Sequence, residues 1–119
     1  MDILRGQGAD IEGIMERFLG DEVFYVDCFK EFIQDQNFVE LGKAIETQNY
    51  ARAYECAHAL KGVAGNLGLI PLYCSVNDIV NALRAKKYDS LKQLYQNIIS
   101  DLGSFSALLS QTNRFITIF

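Results

Sequence analysis

His58 is the only histidine in the chain, and it opens the run His-Ala-Leu-Lys-Gly-Val-Ala-Gly-Asn-Leu-Gly over residues 58–68. An imidazole that is largely neutral near pH 7 is both a nucleophile and a proton carrier. Three residues on, Lys61 supplies a fixed positive charge. Such a charge stabilises a phosphoryl group on a ring nitrogen, and the charge that builds as the group arrives or leaves. Gly62, Gly65 and Gly68 complete the run. Glycine inside a helix costs about 1 kcal/mol relative to alanine, so bare surface beside a lone histidine needs a reason. Clearance for a second protein, which must bring its own reacting group into contact, is one such reason.

The elements that must hold this run are helical. The chain has 119 residues and one proline, and its apolar residues recur with helical rather than alternating period. A short helix is predicted over 10–19, ended by Gly20. A second spans about 21–34, with Asp21 and Glu22 as an acidic cap and Val23, Phe24, Val26, Phe29, Phe32 and Ile33 as its apolar stripe. A third takes roughly 36–47 through Phe38, Leu41 and Ile45. Asn49 reads as the N-cap of a helix running to about Leu67, closed by Gly68 at the C′ position. Pro71 suits the first turn of the next helix, to about Lys86, whose stripe is Leu72, Val76, Ile79 and Leu83. Ser90 and Gln93 have capping-box spacing for a last helix to about Ser110, through Leu94, Ile98, Leu102 and Phe105. The expectation is a single all-α domain over 1–119, with its core at about 10–110. It would be an antiparallel four-helix bundle, built from the second and the last three helices, with additional short N-terminal helix or helices.

At about 100° per residue, Ala53, Cys56, Leu60, Val63 and Leu67 form the core stripe of the histidine helix. His58 lies roughly opposite that stripe, on a face shared with Ala51, Tyr54, Glu55, Lys61, Gly62 and Gly65. Lys61 and Gly62 are its neighbours one turn on. The ring is therefore expected to be exposed or in a shallow groove.

Composition narrows the classes. Half the residues are apolar, the formal charge is −4, and no basic cluster exceeds Lys86-Lys87, so neither nucleic acid nor an anionic membrane is an expected partner. No basic region followed by an apolar run opens the sequence, and no stretch has the length of a membrane span; a cytoplasmic protein is expected. Cys28, Cys56 and Cys74 lack metal-type spacing and read as buried reduced thiols. Glu55 and His58 do spell E-x-x-H, the helical spacing of di-iron bundles. With no second histidine, no metal site is expected.

The run from His58 to Gly68 resembles histidine-containing phosphotransfer (HPt) domains, whose signature is H-x-x-K-G, then a small residue two further on and a closing glycine. His58, Lys61, Gly62, Ala64 and Gly68 match. Glu16-Arg17-Phe18-Leu19-Gly20-Asp21-Glu22 is similar to the family's opening helix and its G-D-E boundary. Ala57, Leu72 and Ala82-Leu83-Arg84 also fit, so the likeness covers about 10–105. It implies a carrier that takes a phosphoryl group on His58 from a phospho-aspartate of one receiver domain and passes it to an aspartate of another in two-component signalling. Lys61 would stabilise the phosphate. Gly62 and Gly65 would give clearance, although close helix packing is an equal reading of Gly65, and Tyr54 and Arg84 would border the docking surface. The partners implied are response-regulator receiver domains and a hybrid sensor histidine kinase, with the chain itself a monomer. No cofactor is implied, Mg²⁺ belonging to the receiver, nor any kinase activity of its own.

One position departs from the pattern. Several family members hold the non-phosphorylated ring nitrogen with a polar side chain on the following helix, and by counting that place is Val80. Asn77 or Asn81, within one turn, would have to substitute. The dimerising helix of a sensor kinase is a poorer match, because Ala59 stands where that helix is acidic and no proline follows a turn later. The chemotaxis-kinase phosphotransfer domain shares H-x-x-K-G but sits in a much larger chain. The remaining alternative is a helical-bundle interaction module without phosphotransfer.

Overall fold

The computed structural model describes residues 22–118, with side chains over 23–107, and Glu12, Gly13 and Glu16. Apart from those three, which are helical, the helix expected over 10–19, its Gly20 stop and the Asp21 cap lie outside the described residues. The described chain is all-helical: α1 (Glu22–Ile33), α2 (Gln36–Glu46), α3 (Tyr50–Asn66), α4 (Ile70–Arg84) and α5 (Leu91–Ile118). Helix α5 continues well past the expected end near Ser110. Among the described residues no helix is long and apolar enough to cross a membrane.

Short polar side chains start two of these helices. Asp35 accepts a hydrogen bond from the Asn37 amide at 2.8 Å, and Asn49 accepts one from the Arg52 amide at 3.2 Å, each satisfying an otherwise orphaned donor. Pro71 lies in the first turn of α4. The capping box expected at Ser90 is not formed by Gln93, whose amide donates forward to Asn97 Oδ1 at 3.1 Å instead.

Three helices end alike. After α3, the Leu69 amide donates to the Ala64 carbonyl and the Gly68 amide to that of Gly65, with Gly68 at φ 69°. This is the paired closure of a Schellman motif, whose C′ residue must be left-handed. The ends of α2 and α4 repeat the pattern with Gln48 (φ 59°) and Lys86 (φ 58°) in the glycine's place.

The core lies where α2, α3, α4 and α5 pack in sequence, each against the next. Helix α2 buries Phe38, Leu41, Ala44 and Ile45 and so belongs to this core. Helix α1 closes one end, with Phe29 edge-on to Phe105 of α5 and Phe32 against Phe38. Its buried stripe differs from the expected one. Tyr25, Phe29 and Phe32 point inward, while Val23 and Phe24 are exposed. Tyr25 can be buried because its hydroxyl donates to the Leu67 carbonyl at 2.8 Å, which removes the cost of an unsatisfied phenol. The thiols also differ from expectation. Cys56 alone is buried, Cys28 is half-buried, and Cys74 is exposed, two residues off the α4 stripe and therefore on its outer face.

Helix α5 approaches α2 through one close fit. The Tyr95 ring rests over Gly42 and its hydroxyl donates to the Phe38 carbonyl at 2.8 Å. A methyl group at position 42 would stand 2.6 Å from that hydroxyl, whereas one at Gly103 would meet nothing. Gly42→Ala should therefore destabilise the fold by about 1–3 kcal/mol through overpacking. Gly103→Ala should stabilise it by about 0.5–1 kcal/mol, the pair being compared by urea denaturation. Burial pushes the Cys56 thiol above its usual range, and only thiolates alkylate readily. In the native protein at pH 8, Cys74 should thus be modified first and Cys56 last, followed by mass spectrometry of the digested protein.

Candidate functional site

Small residues define the inner side of α3: Ala53, Cys56, Ala57, Leu60 and Ala64 are buried. Val63, expected in this stripe, is 38 % exposed. The inward face turns instead through Ala57 and Ala64, whose small side chains let neighbouring helices approach closely. His58, next to Ala57, is exposed on the outer face as its position opposite the core stripe predicts.

Helices α3 and α4 run in opposite directions in a register that three contacts establish. Tyr50 stacks on Tyr88 at 3.7 Å between centroids, Arg84 Nη2 donates to the Tyr54 hydroxyl at 3.1 Å, and Gly65 lies against the Tyr73 ring. The residue numbers fall on one side by as much as they rise on the other. Continued to the middle of the pair, this register sets Val80 level with His58. Val80 is fully buried, so α4 offers no polar group at that level. Asn77 is half-buried and Asn81 exposed. Among the described residues, neither makes a hydrogen bond to the imidazole.

The imidazole's ring contact is with Tyr54, one turn earlier on the same helix. The two rings are 5.8 Å apart at 29° between planes. Tyr54 is held in turn by Arg84, which donates to its hydroxyl and whose guanidinium carbon lies 5.9 Å from the ring centroid. Beyond His58 the arrangement repeats: Lys61 Nζ lies 5.9 Å from the centroid of Tyr73. Lys61 is not paired with Glu55, which is bonded to Arg52 at 3.3 Å. Both cations flanking the histidine thus rest on neutral aromatic faces.

The two glycines inside the helical part of the motif differ. At Gly62 an added Cβ would meet nothing within 4 Å, while at Gly65 it would meet Tyr73 Cδ2 and Cε2 at 3.3 Å. Packing of α3 on α4 therefore accounts for Gly65, and only Gly62 leaves open surface beside the ring. Gly68 is the left-handed cap described above.

His58 consequently sits on a crest. On the α4 side lie Tyr54, Lys61, Gly65 and Tyr73. On the other side, Gly62 and Val63 lead to a cleft of about 390 Å³ between α1 and α3, lined among others by Phe24, Cys28, Glu31, Phe32 and Asp35. Tyr73 and this cleft were not identified from sequence. The signal for Tyr73 was a glycine one helix away in register, legible only once the α3–α4 pairing is known. The arrangement offers an accessible nucleophile, two nearby cations and a mostly apolar flank. Among the described residues, no three His, Cys, Asp or Glu side chains gather as metal ligands. Compared with protein-family models, curated proteins and solved structures, the chain matches none.

Proposed function

We propose that this protein is a cytoplasmic phosphoryl carrier: His58 accepts a phosphoryl group from a phospho-aspartate of one receiver domain and gives it to an aspartate of another. The resemblance of residues 58–68 to HPt domains motivates the reading, and the proposed scaffold is an antiparallel four-helix bundle of α2 to α5 closed by α1. The observation that carries it is Gly62. Neither backbone conformation nor internal packing requires a glycine there, because the residue is helical with φ in the ordinary range and a Cβ would meet open space. The fold pays about 1 kcal/mol in helix stability for it. Gly103 is equally open, but its neighbours one turn away are Ile99, Ser100, Ser106 and Ala107. Of these two open glycines, Gly62 is the one whose vacant surface adjoins an imidazole.

The transfer needs little from the carrier beyond position and charge. A lone pair on one ring nitrogen, Nε2 by family analogy, attacks phosphorus as the acyl-phosphate P–O bond breaks. The bonding electrons return to the partner's aspartate as carboxylate. The ring keeps its Nδ1 proton, and the phosphoryl oxygens offset the resulting positive charge. Lys61 lies one turn from the imidazole, within reach of those oxygens after leaving the Tyr73 face. Mg²⁺ and the acidic pocket are the receiver's. The receiver would cover the crest from the Gly62 side, where Val63 and Phe24 supply apolar contact. The interface would be small enough to release.

Incubation with a phosphorylated receiver domain should add one acid-labile phosphoryl group, seen by mass spectrometry at neutral to basic pH. His58→Gln should abolish that gain. Because the side chain is exposed, its stability should change by no more than about 0.5 kcal/mol. No gain from a broad panel of receivers would leave an interaction module as the better reading. Gly62→Ala should separate stability from function: the melting temperature rises, by the equivalent of about 0.5–1 kcal/mol, while receiver-to-histidine transfer slows. Gly62→Gln should fold and block transfer. Unimpaired transfer in Gly62→Gln removes the clearance argument.

A further inference from the structure

We propose that Tyr54, braced by Arg84, is the positioning residue that sets the orientation of the His58 ring, in place of a polar side chain on α4. The proposal rests on the carrier reading for its purpose, but its geometry stands apart from it. A histidine on an exposed helix face has free rotation about two side-chain bonds, and in-line attack rewards a single orientation. Hydrogen bonding from α4 does not supply one here. The register puts buried Val80 level with the ring, and among the described residues Asn77 and Asn81 make no bond to it.

What the ring does have is an aromatic shelf. Tyr54 stacks on it at 5.8 Å, one turn away, where i,i+4 side chains meet. The shelf is itself fixed from a different helix. Arg84 Nη2 donates to the tyrosine hydroxyl at 3.1 Å and its guanidinium lies 5.9 Å from the ring centroid. The planar guanidinium fork is pre-organised for such a bond, so little side-chain entropy is lost in forming it. The chain of contacts therefore runs from α4 through Arg84 and Tyr54 to His58. It holds the imidazole from the N-terminal side and leaves the Gly62 side open for the incoming group.

Two measurements on the full chain test this. The first is NMR of the His58 Cδ2–H and Cε1–H groups in the unphosphorylated protein. It should show one ordered ring, displaced by the ring current of Tyr54. In Tyr54→Ala that displacement should vanish and the ring should become mobile. Tyr54→Phe should keep the displacement and much of the order, and Arg84→Ala should give intermediate mobility. The second is phosphorylation by phosphoramidate, in which the P–N bond of the reagent breaks and ammonia leaves as the ring N–P bond forms. This small donor has no docking surface. Tyr54→Ala should lower its rate about tenfold, with Tyr54→Phe restoring most of it. An unaltered ring signal in Tyr54→Ala overturns the proposal. So does a loss seen with a receiver as donor but not with phosphoramidate, which would assign Tyr54 to docking alone. If the wild-type protein takes no phosphate from any receiver, the carrier reading fails, while the ring measurement still decides whether Tyr54 orients His58.

Discussion

The chain reversal at Gly68 is the constraint on which the site depends. Helix α3 must stop there because the Gly68 backbone is left-handed, and its last carbonyls are taken up by the Gly68 and Leu69 amides. The reversal is also anchored in the core. Leu67 and Leu69 on either side are buried, and the Leu67 carbonyl receives the Tyr25 hydroxyl from α1. With both flanks fixed, α4 can return along α3 in only one register. That register brings Tyr73 over Gly65, Arg84 to Tyr54 and Val80 level with His58. A one-residue change in the reversal would rotate a different side of α4 toward the histidine helix, and none of these pairs would meet.

The residue types on α3 follow from the same arrangement. A helix packed against α2 on one side and α4 on the other needs small inward residues, and alanine or cysteine occupies four of its five buried positions. Packing of that kind gives the helix little freedom to roll, since close-packed interiors resist displacement. The outer crest is thereby fixed as well. An exposed side chain on such a helix has a well-placed Cα even though its ring remains free to turn, which is why an orienting contact within the crest matters.

Much of this was legible in the sequence. Helical period, the Asn49 cap, Pro71 and the Gly68 stop located α3 and α4 to within a residue or two, because capping chemistry is local. The exposure of His58 followed from its angle to the core stripe. What failed had tertiary causes. Periodicity places Val63 in the core, but α1 leaves a cleft over it and the inward face turns through alanines. Tyr25 is absent from the periodic stripe, and its burial depends on a carbonyl from another helix that accepts its hydroxyl. The Gln93 amide was expected to reach back and instead bonds Asn97. Gln48 and Lys86 adopt left-handed caps with no glycine to announce them, since the helices they terminate are held by packing rather than by the cap itself. Tyr73 and the Arg84–Tyr54 pair depend on a register that no single segment encodes.

The way the two cations are held bears on how, on the proposed carrier reading, a net-negative protein would accommodate a phosphoryl group. With a formal charge of −4, the chain as a whole repels such a dianion. Lys61 or Arg84 paired to carboxylates would add nothing locally, because each positive charge would be cancelled beside the ring. That is the situation of Arg52, paired with Glu55 three residues further along the helix. Tyr73 and Tyr54 hold their cations without cancelling them. A cation on an exposed aromatic face gains about 0.5–1 kcal/mol, comparable to a surface ion pair at about 0–1 kcal/mol, so ordering is similar while the full charge remains available. The hold is also weak enough to release. On the proposed carrier reading, a charge-assisted bond to a phosphoryl oxygen, roughly twice as strong as a neutral one, would outcompete the ring, and Lys61 would exchange one contact for the other. Among the described residues, aromatic rather than acidic partners therefore leave Lys61 and Arg84 uncancelled on an acidic protein.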